Sequence, residues 1–152
     1  VASERRFTNP FMCVDAFVTD GERVLLGRKH TDPANRWRMP GGFVDPQETL
    51  ESAVWREVKE ETGILPAHSM YVRSQPIADW RYTDGPENIL SACFICICRK
   101  NETPQAADDL AELRWFPLDG FRMELVHPNH QDLVRGALGM LEKALHDATV
   151  PA

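Results

Sequence analysis

The chain has 152 residues with 17 basic and 23 acidic side chains, a formal net charge of −6, and is 43% hydrophobic and 26% charged. That length suits one domain with a buried core, and the composition excludes a disordered, collagen-like or low-complexity chain. The acidic balance counts against gripping polymeric nucleic acid, and no apolar run approaches the ~20 residues of a membrane span, so neither partner is expected.

The first nine residues are polar, with Arg5 and Arg6, and carry no apolar secretion core. Residues 11–19 alternate as a strand, Asp20-Gly21 marks a turn, and the apolar pattern resumes over 23–26, so a hairpin is expected. Residues 30–38 read as a polar loop, broken sharply by Met39-Pro40-Gly41-Gly42. A helix is expected over about 48–62, with Gly63 as its C-terminal stop. Residues 69–74, 89–98 and 110–116 read as strands, with a loop over 80–88. A second helix is expected over 128–146, with Pro128 in its first turn and a leucine stripe behind it. These elements make one α/β domain over 1–152.

Cys93 and Cys96 have the spacing of a zinc or redox pair. They lie in an apolar strand, however, which sends them to opposite faces. No second pair stands at finger spacing, so reduced, buried thiols are expected, as suits a cytoplasmic protein. His127 and His130 lack a third ligand nearby in sequence, so no zinc site is expected there.

The first helix breaks its own pattern. At about 100° per residue, Leu50, Ala53 and Val54 share a face that continues into Glu57, Glu60 and Glu61. Carboxylates there repel one another and oppose the helix dipole. Arg56 reaches Glu60 at i+4 and offsets part of this. Three acids on a core-side face call for a cation or a set of donors, and a divalent metal with oxygen ligands is the economical answer.

The surrounding residues extend the pattern. Gly42, five residues, Glu48, seven residues, then Arg56-Glu57-Val58-Lys59-Glu60-Glu61-Thr62-Gly63-Ile64 resembles the Nudix box at every position, residues 42–64. Leu25-Leu26-Gly27-Arg28, Trp37 through Gly42 and Arg114-Trp115-Phe116 are similar to the family's flanking strands. The resemblance implies an α/β/α sandwich, with a mixed sheet between helices. It implies Mg²⁺- or Mn²⁺-assisted hydrolysis of a nucleoside diphosphate linked to another moiety. Glu57, Glu60 and Glu61 would be metal ligands, with Glu57 as a candidate base. Arg56 would orient a glutamate, Glu48 would support the loop or a second metal, and Gly41, Gly42 and Gly63 would shape the turns. The chemistry agrees, because a metal neutralises the anionic diphosphate and acidifies bound water.

Substrate contacts must come from outside the box. Residues 22–38 hold five cations, of which Arg28, Arg36 and Arg38 are candidates for a phosphate, against two acids. Trp80 and Tyr82 are candidates for stacking on a base, ahead of Trp37 and Phe43, which read equally as core. Glu112 is the candidate extra metal ligand, ahead of Asp108, Asp109 and Glu87. The lead-in Pro40 through Val44 is similar to ADP-ribose pyrophosphatases, although the proline they carry 16 residues past the box glycine is Asp79 here. Ser74-Gln75-Pro76 is similar to the NADH diphosphatase tract, and departs from it at Ile77. The favoured substrate is a small nucleotide derivative, ADP-ribose or a nucleotide sugar, cut to a nucleoside monophosphate and a phosphorylated remainder. The alternatives are a nucleoside triphosphate pyrophosphohydrolase for damaged nucleotides and a silent ligand sensor. A homodimer is implied by the family.

Overall fold

The computed structural model describes residues 9–78 and 88–149. Six strands form one mixed sheet: β1 (Phe11–Thr19), β2 (Arg23–Arg28), β3 (Gly41–Phe43), β4 (His68–Ile77), β5 (Ile89–Ile97) and β6 (Glu112–Pro117). The order is β4-β5-β1-β2-β6, with β3 pairing β1 off that path. Two helices flank it, α1 (Leu50–Thr62) and α2 (Gln131–Thr149).

Strand parity assigns each residue to a layer. Val14, Ala16 and Val18 of β1 join Ala53, Val54 and Val58 of α1 in one core. Phe17 joins Leu133, Val134 and Ala137 of α2 in the other. Cys93 lies in the α2 layer and Cys96 in the α1 layer, as strand alternation requires. The sheet between two helical layers is the α/β/α sandwich.

Strand β1 is the hub, because it changes partners along its length. Val18 and Thr19 pair with β2, whereas Cys13, Val14 and Asp15 pair with β3. On its other side it runs parallel to β5 from Phe11 to Thr19. The sheet therefore forks beside Asp15.

Several boundaries differ from the sequence reading. Helix α1 begins at Leu50, not residue 48, because the Thr49 hydroxyl caps it by accepting from the Ser52 N–H at 3.0 Å. Residues 128–130 form a 3₁₀ turn, and the α-helix starts only at Gln131. Strand β4 runs on to Ile77 despite Pro76, which an edge strand tolerates. Gly41 and Gly42 sit in β3 rather than in a turn, and only Gly63 has the left-handed backbone of a helix stop, φ 74°. Trp37, inside the expected polar loop, is buried against Phe116.

Candidate active site

Helix α1 and strand β3 build the acid cleft between them. Gly41, Gly42, Phe43 and Asp45 line it from one side and Glu57, Glu60 and Glu61 from the helix. Asp108 and Asp109 close it from the loop before β6. That loop is pinned to the helix end, since Gln105 N–H donates to the Thr62 carbonyl at 2.9 Å and Ala107 N–H to the Glu61 carbonyl at 3.2 Å. Asp108 adopts a left-handed backbone, φ 54°, which Asp tolerates better than most residues.

The two glycines are required by close approach. A Cβ on Gly42 would overlap Glu57 Oε1, and one on Gly41 would overlap the Val14 carbonyl and Asp15. The bare backbone lets β3 slide between β1 and α1. Gly41 N–H then donates to Glu61 Oε2 at 3.2 Å.

The three box glutamates sit in different environments. Glu57 and Glu61 are buried, while Glu60 lies at the rim. Burial pushes the Glu61 carboxyl up to about 8, helped by the charges of Glu57 and Asp15 and only partly opposed by the Gly41 N–H and by Lys29. Burial also raises Glu57, against the pull of Arg56. Glu61 stands in no ion pair among the described residues.

Arg56 ties the site together. Its Nε donates to Glu48 Oε2 at 2.7 Å, Nη1 to Glu57 Oε1 at 2.8 Å and Glu60 Oε2 at 3.2 Å, and Nη2 to the Phe43 carbonyl at 3.0 Å. One guanidinium thus holds β3 and the helix in register. Glu48 does not line the cleft. Its carboxylate is held by Arg56 and by the Asp45 N–H, which bring its pKa down to about 2.

The fit to a divalent cation follows from the donors. They are all hard carboxylate oxygens, two are desolvated, and one lacks a countercharge, which suits Mg²⁺ or Mn²⁺. With Glu57 drawn toward Arg56 and Glu61 toward Gly41, no three His, Cys, Asp or Glu side chains among the described residues converge on one point.

The other candidates scatter. Glu112 is not brought to the cleft. It bonds Arg28 Nη2 at 2.8 Å and Arg114 at 3.3 Å. This fixes Arg28 away from the acids as well. Arg36 donates to the Glu124 carbonyl at 2.6 Å and lines neither cavity. Arg38 does line the cavity next to the acid cleft, held there by Asp32 at 2.6 and 2.8 Å. Trp80 and Tyr82, with Asp79 and Glu87, lie outside the described residues. His127 and His130 each use Nδ1 as an acceptor, from the Asn129 and Met39 N–H groups, which leaves no His–His metal pair. Lys29, one of the five cations of residues 22–38, lines the same cavity as Arg38, and so do Asp15 and Ser91, which sequence reasoning missed. The one available signal was a lone acid, Asp15, inside an otherwise apolar strand.

The sequence model of the NUDIX domain family matches residues 10–136. The chain belongs to the Nudix family. It is 34% identical over 118 residues to the ADP-ribose pyrophosphatase of Methanocaldococcus jannaschii, covering 76% of this chain and 66% of that protein. It is 32% identical over 108 residues to the NAD-capped RNA hydrolase NUDT12 of Macaca fascicularis, covering 71% of this chain and 22% of the relative. The chain therefore spans under a quarter of the second relative's length. Its fold matches the crystal structure of a MutT NUDIX hydrolase from Burkholderia pseudomallei at TM-score 0.65 and 27% identity, over 82% of this chain and 96% of that one. Because one relative is named for hydrolysing NAD-capped RNA, the net charge of this Nudix chain carries no exclusion of RNA.

Proposed function

We propose that this Nudix domain, read as the single domain of residues 1–152, hydrolyses the diphosphate linkage of an adenosine diphosphate derivative of the ADP-ribose or NAD type. The observation that carries this is the acid cleft opening beside a cavity that Lys29 and Arg38 share with Gly41 to Phe43 and Glu61. Acids to hold a metal and cations to hold a phosphate then flank one strand. The substrate class draws on the relatives, since ADP-ribose and NAD both contain adenosine diphosphate joined to a ribose.

Glu57, Glu60 and Glu61 would hold Mg²⁺ or Mn²⁺, which when bound neutralises the diphosphate and lowers the pKa of attacking water. Arg56 holds Glu57 and Glu60 in place through Nη1. Glu57, raised by burial, is suited to take a proton from that water. Arg38, oriented by Asp32, is placed to meet phosphate oxygens. The products would be a nucleoside monophosphate and a phosphorylated remainder. A reducing, cytoplasmic setting is supported by cysteines of which none is in a disulfide. A homodimer is supported by β4, whose outer edge pairs with no strand among the described residues. Sedimentation reads it.

The test is a panel of ADP-ribose, NAD, NADH, nucleotide sugars and nucleoside triphosphates with Mg²⁺ in ¹⁸O-water, products read by mass spectrometry. Label in a monophosphate from an ADP-containing substrate is expected. Release of pyrophosphate from triphosphates alone, or full activity after removal of divalent cations, would sink the reading.

A further inference from the structure

Three buried polar side chains meet in the cavity beside the acid cleft, and the hydrolysis above uses none of them. Asp15 of β1 is 8% exposed, Ser91 of β5 is 0% and His130, just before α2, is 7%. In the parallel register Ser91 faces Cys13, two residues from Asp15 and on the same face of the sheet. The Ser91 hydroxyl donates to Asp15 Oδ2. The Met39 N–H donates to His130 Nδ1 at 3.0 Å, so the ring proton of the neutral imidazole sits on Nε2. That Nε2 lies 3.7 Å from Asp15 Oδ1, beyond hydrogen-bond distance. A donor and an acceptor therefore stand side by side without satisfying each other.

Lys29 and Arg38 line the same cavity, but neither is paired with Asp15. Asp15 stands in no ion pair with Lys or Arg among the described residues, and burial holds the His130 imidazole below its ordinary pKa, hence neutral near pH 7. A buried carboxylate with no directly paired cation is costly, and such groups cluster at functional sites.

We propose that Asp15 and His130 form a recognition clamp for a planar amide or amidine edge of the substrate. This rests on the proposed action at the neighbouring diphosphate site. Asp15 Oδ1 accepts from the ligand N–H, and His130 Nε2–H donates to the adjacent carbonyl oxygen or ring nitrogen. Met39, Ile77, Ile89 and Leu110 give the otherwise polar wall an apolar part on which a flat ring can lie. The cavity, ≈ 170 Å³, suits one ring system rather than a dinucleotide. Two parts of such a substrate offer this edge: an aminopurine base and a primary carboxamide on a pyridine ring.

Titration calorimetry on the wild-type protein without metal separates them, using ligands that contain no diphosphate. One pair is AMP against purine riboside 5′-monophosphate, which lacks the amino group. The other is nicotinamide mononucleotide against its 3-acetylpyridine analogue, where methyl replaces the amide NH₂. The analogue of one pair is expected to bind roughly ten- to a hundredfold more weakly, because it leaves the Asp15 acceptor unpaired. Asp15→Leu, close in volume and without an acceptor, is expected to erase that ratio, with circular dichroism reporting its fold. Should Asp15→Leu not fold, 1-deaza-AMP replaces it. That ligand keeps the amino group but removes the ring nitrogen facing His130, and weaker binding by the wild type supports the clamp if the base occupies it. A matched loss on thionicotinamide mononucleotide, whose sulfur accepts poorly, does so for the carboxamide. Equal affinity within both pairs, an undiminished ratio in Asp15→Leu, or no binding of any ligand at millimolar concentration would overturn it. A protein that cuts no diphosphate still reports here, and one that turns over ADP-ribose without discrimination loses the clamp while keeping its reaction.

Discussion

Glu61 is nearly sealed from water and has one backbone N–H as its hydrogen-bond partner. With its carboxyl pushed up to about 8, it holds a proton in the metal-free fold that the unfolded chain has already released. This contribution to stability is therefore full below about 4.5, falls as pH climbs through the interval to about 8, and stays low above it. A cation held by Glu61, as proposed, would have to displace the same proton, so apparent Mg²⁺ or Mn²⁺ affinity should rise with pH up to about 8 and then level, as calorimetry at several pH values would read. Glu61→Gln keeps the shape and removes the charge. It should raise the melting temperature of the metal-free protein at pH 9 while cutting metal-dependent turnover by about a hundredfold or more. A Glu61→Gln variant with unchanged melting at pH 9 would contradict the buried-carboxylate argument. At this scale the box glutamates were legible from spacing, but their inequality was not. Only packing makes Glu61 buried and leaves Glu60 at the rim.

At the scale of elements, the neighbouring glycines of β3 separate fold from chemistry. A Cβ at 41 meets the β1 backbone, which cannot yield, whereas a Cβ at 42 meets the end of the Glu57 side chain, which can swing away. Gly41→Ala should thus destabilise by about 1–3 kcal/mol or more, seen in urea unfolding. Gly42→Ala should keep most of its stability and lose turnover, because Glu57 leaves its place beside Arg56. Equal loss of stability in both would refute this division. Capping is a smaller matter: Thr49→Ala should cost ~1 kcal/mol of stability with kcat little changed. Helix α1 was readable because its period and its Gly63 stop are local signals. Strand β3 was not, since three residues with two glycines have no strand propensity and become a strand only by pairing with β1.

For the whole molecule, the sandwich buries the two faces of β5 against different helices. Burial raises the thiol of Cys93 and lifts those of Cys96 and Cys98 to about 12 and about 11. A thiol reagent at pH 8 should label Cys13 first, as it lines the cavity, and reach Cys93 and Cys96 only at the rate of unfolding. Mass spectrometry of partly labelled protein checks the order. Early labelling of Cys93 would mean that the α2 layer opens well below global unfolding.

The sequence alone determined the family, the first helix with its carboxylates and arginine, and the alternation that splits Cys93 from Cys96. These are written in fixed spacings along short stretches of chain, the longest being residues 42–64, where period and order govern. Tertiary structure decided that Glu112 neutralises Arg28 instead of joining the acids, and that Asp108 and Asp109 close the cleft. It also set Ser91 on Asp15 and His130 against Met39, partners 76 and 91 positions apart. Such contacts follow from the fork in the sheet at β1 and from the docking of α2, which no local pattern encodes. The acidity counted at the outset gained its meaning in the same way: a net charge says nothing of which carboxylates the fold leaves dry and unpaired.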